Sequence, residues 1–289
     1  MFSICIPVYN YDARPLVTEL QRQVERLQEG TIEILLYDDG SQARYKALNR
    51  ELKSIPIVRY AEELKNIGWT GIKNKMAAEA HNSTLIFLDV DSMPNGNYLE
   101  NYLQKPDTTV IVGGRNYTAT PPVDPALHLH WKYGRERETI SPARSRTYLH
   151  FQSSNFRVDR EFFLEHPFPV IDGYGHEDTL WGQLLAPTQI DIVYIDNPVT
   201  HLGLEATDRF LVKQRQALES LRLLRKQHPT LTTRLTKFVD RYPRMVQLAE
   251  MLPEKMLLDY VTRTHNLRAL DLLKVKWWVT HSAPAIGYR

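Results

Sequence analysis

"LIFLDVDSMPNG" (residues 85–96) sets four apolar residues ahead of two carboxylates one residue apart. Leu85, Ile86, Phe87 and Leu88 read as a short buried strand, and Asp89 and Asp91 stand where it should run out. On extended backbone, side chains at i and i+2 point to the same side. The spacing therefore predicts two carboxylates aimed at one spot. Like charges that close raise each other's pKa unless a cation lies between them. Hard oxygen ligands suit Mg2+ or Mn2+, taken directly or through water. A strand-end turn whose aspartates cap the next helix explains the same residues equally well.

The flanking chain decides which kind of sheet holds this strand. "FSICIPVYN" (2–10) is an apolar run that breaks at Pro7. Leu16, Val17, Leu20, Val24 and Leu27 then follow helical spacing, with Gly30 as the expected stop. "IEILLYDDGS" (32–41) reads as a second strand, 41–54 as a polar helix, and "IPIVRY" (55–60) as a third strand. Met76, Ala77 and Ala80 suit one helix face; after "TLIFLDVD" come a helix around Tyr98–Leu103 and "TVIVGG" (109–114). Strand–helix alternation over about 112 residues predicts an α/β fold, a mostly parallel sheet with helices on both faces. Ligands bind such sheets at the carboxyl ends of the strands. Tyr9 and Asn10, Asp38 and Asp39, and Asp89 and Asp91 all fall there.

From 113 to about 150 the pattern dissolves through "GGRNYTATPPVDP", which predicts a long functional loop or a solvated one. "HEDTLWGQLL" puts Glu177 and Asp178 at the start of an apolar helix, where acidic residues complement the helix dipole or supply a general base. "IDIVYID" is one more strand, and His201 follows it in "THLGLE", either structural or an imidazole for the same metal. Beyond about 206 the chain reads as helical, with Phe210, Leu211, Leu218, Leu221 and Leu224 on one face. The basic helices and Trp277-Trp278 either pack inward or lie on a membrane surface, and the leucine spacing favours packing.

The 36 basic and 34 acidic residues among 289 leave a formal charge of +2, no reason to expect nucleic-acid binding. Cys5 is the only cysteine, which excludes an internal disulfide and a cysteine-based zinc site. With no leader-like N-terminus and no long apolar run, the expectation is a cytoplasmic protein, at most peripheral at the inner face of a membrane.

The ordered set "IPVYN", "DDGS", "KNIGWTGIKN", "DVD", "SSNFRVDREFF", "GYGHED" and "THLG", spanning roughly 3–205, resembles the family-2 glycosyltransferases, inverting enzymes of the GT-A fold. The resemblance implies a catalytic domain over 1–205, its nucleotide-sugar half about 1–112 and its acceptor half about 113–205, with a helical extension over 206–289. It implies a nucleotide-sugar donor, most often a UDP-sugar, and a glycan, lipid-linked or protein acceptor. Pro7, Val8, Tyr9, Asp38 and Asp39 would line the uridine pocket; Asn66, Gly68 and Lys73-Asn74 would lie near base and phosphates. Asp89 would reach the ribose or a metal-bound water, Asp91 and His201 would ligate Mn2+ or Mg2+, Asp178 would be the catalytic base, and Glu177 would orient the acceptor. Trp69, Trp131, Tyr174 and Trp181 could offer a face for sugar stacking.

Lys73 stands where that family more often has Arg, and His176 where an aromatic residue is common. A missing Gln-x-x-Arg-Trp sequence and the lack of membrane spans point to single addition rather than processive synthesis. Two other readings compete. Asp89 and Asp91 also resemble the nucleophile and acid/base of haloacid-dehalogenase-type phosphatases, although that motif normally opens its domain. A non-catalytic nucleotide- or sugar-binding module would use the same pocket.

Overall fold

Strand β1 (Phe2–Val8) turns Phe2, Ile4, Ile6 and Val8 into one apolar layer and Cys5 into another, so both its faces are buried. That is why its sequence is a nearly unbroken apolar run. The computed structural model describes residues 2–27, 32–105, 108–139, 141, 148–171 and 173–280; Gly30, the expected helix stop, lies outside them. In chain order β1 is followed by α1 (Arg14–Leu27), β2 (Ile32–Asp38), α2 (Ala43–Arg50), β3 (Val58–Glu62), α3 (Trp69–Glu79) and β4 (Thr84–Leu88). Then come β5 (Ser92–Met93), α4 (Tyr98–Leu103), β6 (Val110–Val112), β7 (Arg115–Asn116), α5 (His128–Tyr133), β8 (Asn155–Asp159) and α6 (Arg160–Glu165). The remainder is α7 (Glu177–Leu184), β9 (Ile192–Tyr194), β10 (Val199–His201), α8 (Thr207–Gln227), α9 (Arg234–Arg241), α10 (Pro243–Met251), α11 (Glu254–Thr264) and α12 (Leu267–Thr280).

Contacts divide the chain into two units, the first drawn from Met1–Thr118, Arg137–Ile171 and Glu177–Gly203. Its main sheet has the order β3-β2-β1-β4-β8-β6-β9. β1 pairs in parallel with both β2 and β4, while β8 runs antiparallel to β4 and β6. Strand order therefore reverses around β1, the position at which open α/β sheets bind ligands. A second sheet, β5-β10-β7, places Ser92 opposite His201 and Arg115 beside Val199.

Asn155, fully buried on β8, ties these parts together. Its Oδ1 accepts from the Tyr98 and Tyr102 hydroxyls at 2.9 and 2.8 Å, and its Nδ2 donates to Gly114 O and Asn197 O at 2.8 and 2.9 Å. All four of its hydrogen-bonding positions are used. The close approach also needs Gly113, where a Cβ would lie 2.5 Å from Asn155 Nδ2.

The second unit is drawn from Ala119–Glu136, Asp172–His176 and Leu204–Arg289. Phe210, Leu211 and Leu218 of α8 pack with Leu129, Leu257, Val261, Leu270 and Trp277 in one core, as the leucine spacing predicts. Part of the segment expected to be loop is helical, because α5 buries Leu129 in that core. Trp277 is turned inward too, its indole N–H donating to Glu254 Oε1 at 2.9 Å, and Trp278 packs against the same core. Among the described residues no helix is long and apolar enough to cross a membrane.

Candidate active site

The loops after β1 and β2 clasp each other. Asn10 takes a left-handed backbone (φ 52°); its N–H donates to Ser41 Oγ at 2.8 Å and its Oδ1 accepts from Gln42 N at 2.8 Å. Gly40 (φ 78°) is required beside them, since a Cβ there would meet Asn66 N at 2.6 Å. Asp39 then holds the next loop: its carboxylate accepts from Ile67 N at 2.7 Å and Gly68 N at 3.2 Å, and its carbonyl accepts from Asn66 Nδ2 at 3.1 Å. Burial raises the Asp39 pKa, against the pull of those two N–H groups. Asp38 has no exposed surface; its Oδ1 accepts from Ser41 N at 2.7 Å and lies 3.7 Å from Lys46 Nζ, while its Oδ2 has no hydrogen-bond partner among the described residues. Val8 is buried and Pro7 half-buried, whereas Tyr9 is 55% exposed and Asn66 is open at the edge.

The two carboxylates after β4 have different partners. The strand stops at Leu88, and the chain turns, with Asp89 N donating to Ser154 O at 3.0 Å and Ser92 N to Asp89 O at 3.1 Å. Alternation is lost in a turn, and each carboxylate takes its own partner. Asp89 Oδ1 instead accepts from Lys73 Nζ at 2.9 Å, and Nζ also donates to Ser153 O at 2.9 Å beneath the Trp69 ring. Lys73 has no exposed surface; burial lowers its pKa and Asp89 opposes the shift. Removing Asp89 would leave the buried Lys73 ammonium without its counter-charge.

Asp91 Oδ1 lies 3.4 Å from His201 Nδ1, and a Cβ on Gly203 would come within 2.1 Å of Asp91 Oδ2. Burial raises the Asp91 pKa, but the His201 contact and then Arg115 more than offset it, leaving a net lowering. Among the described residues no third His, Cys, Asp or Glu joins this pair to make a metal cluster. A cavity of about 320 Å3 opens beside it, lined by Tyr11, Val90, Ser92 and Leu202 among others.

Glu177 and Asp178 open α7 as expected, Asp178 Oδ1 accepting from Thr179 N at 2.6 Å. Burial pushes the Asp178 pKa up, with Arg115 the strongest opposing charge. Arg115 also feels Asp89 and acts on Asp91, so it is the common charged neighbour of all three carboxylates. Its Nε donates to Ser154 Oγ at 3.1 Å, and its Nη1 lies 3.4 Å from Glu138 Oε2, which also accepts from the Tyr117 hydroxyl. Arg115, Tyr117 and Glu138 were absent from the sequence expectation. Arg115 was findable as the polar residue beyond "TVIVGG", the rule that located Asp38 and Asp89; Glu138 carries no local signal. Of the proposed stacking aromatics, Trp181 is core, packed among Phe151, Phe156 and Phe168, whereas Tyr174 is 51% exposed.

The model of the family "Glycosyl transferase family 2" matches residues 3–166. A chondroitin synthase of Escherichia coli is 24% identical over 144 residues, 48% of this chain and 20% of that protein. The chain thus spans about a fifth of that curated relative's length. Among solved structures, residues 1–349 of S. aureus TarS superpose with a TM-score of 0.51 at 15% identity, covering 95% of this chain and 90% of that one. The mannosyltransferase PcManGT of Pyrobaculum calidifontis, in complex with GDP-Man and Mn2+, gives 0.60 at 14% identity, covering 96% and 87%. At such identities the structural likeness is one of fold.

Proposed function

We propose that this chain, which belongs to glycosyl transferase family 2, moves a single sugar from a UDP-sugar to an acceptor hydroxyl, with inversion and with a divalent cation, Mn2+ or Mg2+. The observation that carries the reading is the Asp91–His201 pair at the carboxyl edge of the sheet, sharing Arg115 as a charged neighbour with Asp178.

The donor set fits such a cation. Neighbouring ligands of an octahedral ion lie about 3 Å apart, close to the 3.4 Å between Asp91 Oδ1 and His201 Nδ1. Asp91 and His201 would hold the ion, with Asp89 reaching it only through water while Lys73 keeps its carboxylate. Bound there, a divalent ion neutralises negative charge growing on a leaving diphosphate. UDP is favoured by the family resemblance and by a TarS structure in complex with UDP-GlcNAc; PcManGT, with GDP-Man, makes GDP the control.

In this reading Tyr9 and Asn66 face the nucleoside, and Gly68, Pro7 and Val8 contribute backbone. Asp38 and Asp39 shape the pocket from beneath, and Asp89, fixed by Lys73, meets the ribose. Asp178 takes the proton of the acceptor hydroxyl as its oxygen attacks the anomeric carbon, and Glu177 orients the acceptor. One base and one displacement give inversion, without a carboxylate nucleophile. The acceptor is a glycan, lipid-linked or protein hydroxyl, and residues 206–289, helical in most of their described part, are an extension to a catalytic domain over 1–205, available for peripheral contact with a membrane.

Asp178→Asn tests the chemistry. It should retain metal-dependent nucleotide binding while transfer from a UDP-sugar falls about 1,000-fold or more, in line with the loss of a general base. Wild-type product should have the anomeric configuration opposite to the donor's by NMR. Undiminished transfer by Asp178→Asn, or a retained configuration, would sink the mechanism.

A further inference from the structure

We infer that Tyr117 and Glu138 are a positioning pair that fixes the His201 imidazole against Asp91; this rests on the reading of Asp91 and His201 as metal ligands. The Tyr117 ring packs edge-on against His201, centroids 5.4 Å apart and planes at 66°. The sheet builds this contact. β7 and β10 run in parallel with Arg115 beside Val199 and Asn116 beside Thr200, so one further residue aligns Tyr117 with His201.

Tyr117 is 7% exposed and is held at its far end, where its hydroxyl donates to Glu138 Oε2. Glu138 is itself anchored. Its Oε2 lies 3.4 Å from Arg115 Nη1, and its carbonyl accepts from Gln152 Nε2 at 2.7 Å. Arg115 in turn donates to Ser154 Oγ, and Ser154 O accepts from the N–H of Asp89. A continuous set of bonds thus runs from the backbone of the Asp89–Asp91 turn to the ring beside His201.

An imidazole at a strand end can rotate about two side-chain bonds, and a ligand set of two protein groups depends on that angle. Outer groups that orient a ligating His are worth about 10–100-fold in metal affinity. Glu138 ends the short helical segment Gly134–Glu138, and its bonds to Arg115 and Tyr117 brace the chain at β7. The long segment after residue 113 would then set metal geometry as well as meet an acceptor.

The test uses the full chain and electron paramagnetic resonance of Mn2+ in the presence of UDP, with metal-free thermal unfolding as the folding control. Tyr117→Leu, which removes the ring, should weaken Mn2+ binding about tenfold or more. Tyr117→Phe, which keeps the ring and removes only its tether, should cost about fivefold, and Glu138→Gln, which also loosens Arg115, at least as much. If Tyr117→Leu unfolds, the latter two variants decide. Wild-type Mn2+ affinity in all three, with His201→Ala weakened, overturns the inference and leaves the metal reading intact. Wild-type affinity in His201→Ala itself overturns the metal reading.

Discussion

Gly203→Ala should separate metal binding from stability. A Cβ at Gly203 would lie 2.1 Å from Asp91 Oδ2, 2.8 Å from Cγ and 3.1 Å from Cβ. Ordinary contact requires well over 3 Å, so the carboxylate must retreat by about 1 Å or more. The two nearest of these atoms belong to a carboxyl group on a rotatable bond, so the side chain can swing while the backbone stays. An off-rotamer Asp91 costs about 1 kcal/mol, a thermal shift of about 2–4 °C in a chain this long. The same swing parts Oδ1 from His201 Nδ1, which are 3.4 Å apart. Metal-dependent UDP affinity should therefore fall at least about tenfold, about 1.4 kcal/mol. Calorimetric titration and thermal unfolding of the same preparation read both quantities. Gly96→Ala, whose Cβ would meet only Arg22 Nη2 at 3.6 Å, is the neutral control. Wild-type Mn2+–UDP affinity in Gly203→Ala would refute the placement of the metal at Asp91.

Gly113→Ala should do the reverse: its Cβ would strike Asn155 Nδ2, Asn197 O and Tyr102 Oη at 2.5–2.7 Å, in a knot that has no room to relax. Urea unfolding should show a loss of about 3 kcal/mol or more; an unchanged midpoint would contradict the knot. Because burial raises the Asp178 pKa above 3.8, transfer should fail as pH drops through a value above that of an ordinary aspartate. Arg115→Met, which removes the opposing cation, should move this acid limb higher, and a limb at the ordinary value would argue against Asp178 as the base. His176 is held neutral, its pKa lowered from 6.5 to about 4 by burial and then by Lys274. The unfolded chain binds the extra proton between those values, so stability should rise from pH 4 to 6.5, by up to about 3 kcal/mol. His176→Gln should flatten that slope in urea titrations; an unaltered slope would remove His176 as its source.

The α/β half was legible because period-two apolar runs and polar strand ends are local signals: Ile4 and Ile6 face one layer and Cys5 the other, as the alternation requires. Asp91 stands out in the sequence as a carboxylate at a strand end. Its pairing with His201 had no local signal beyond residue type, since 110 residues separate them and the β5–β10 ladder that joins them is two residues long. The i, i+2 argument for a shared focus of Asp89 and Asp91 assumes extended backbone, whereas the chain turns after Leu88. Lys73, fully buried under Trp69, then takes Asp89. With family membership established, the phosphatase reading of these two aspartates falls away. Glu138 was illegible for a different reason: its partners Arg115 and Tyr117 lie across a segment with no periodicity, and only the folded chain brings them together.

The central claim is tested most directly by titrating UDP into the protein with and without Mn2+, for wild type and Asp91→Ala, with GDP and dTDP as controls. UDP binding that depends on Mn2+ in the wild type and loses that dependence in Asp91→Ala is the predicted result. Metal-dependent binding of GDP or dTDP alone would keep the site and change the donor. Nucleotide binding indifferent to Mn2+, or equally metal-dependent in Asp91→Ala, would contradict the account.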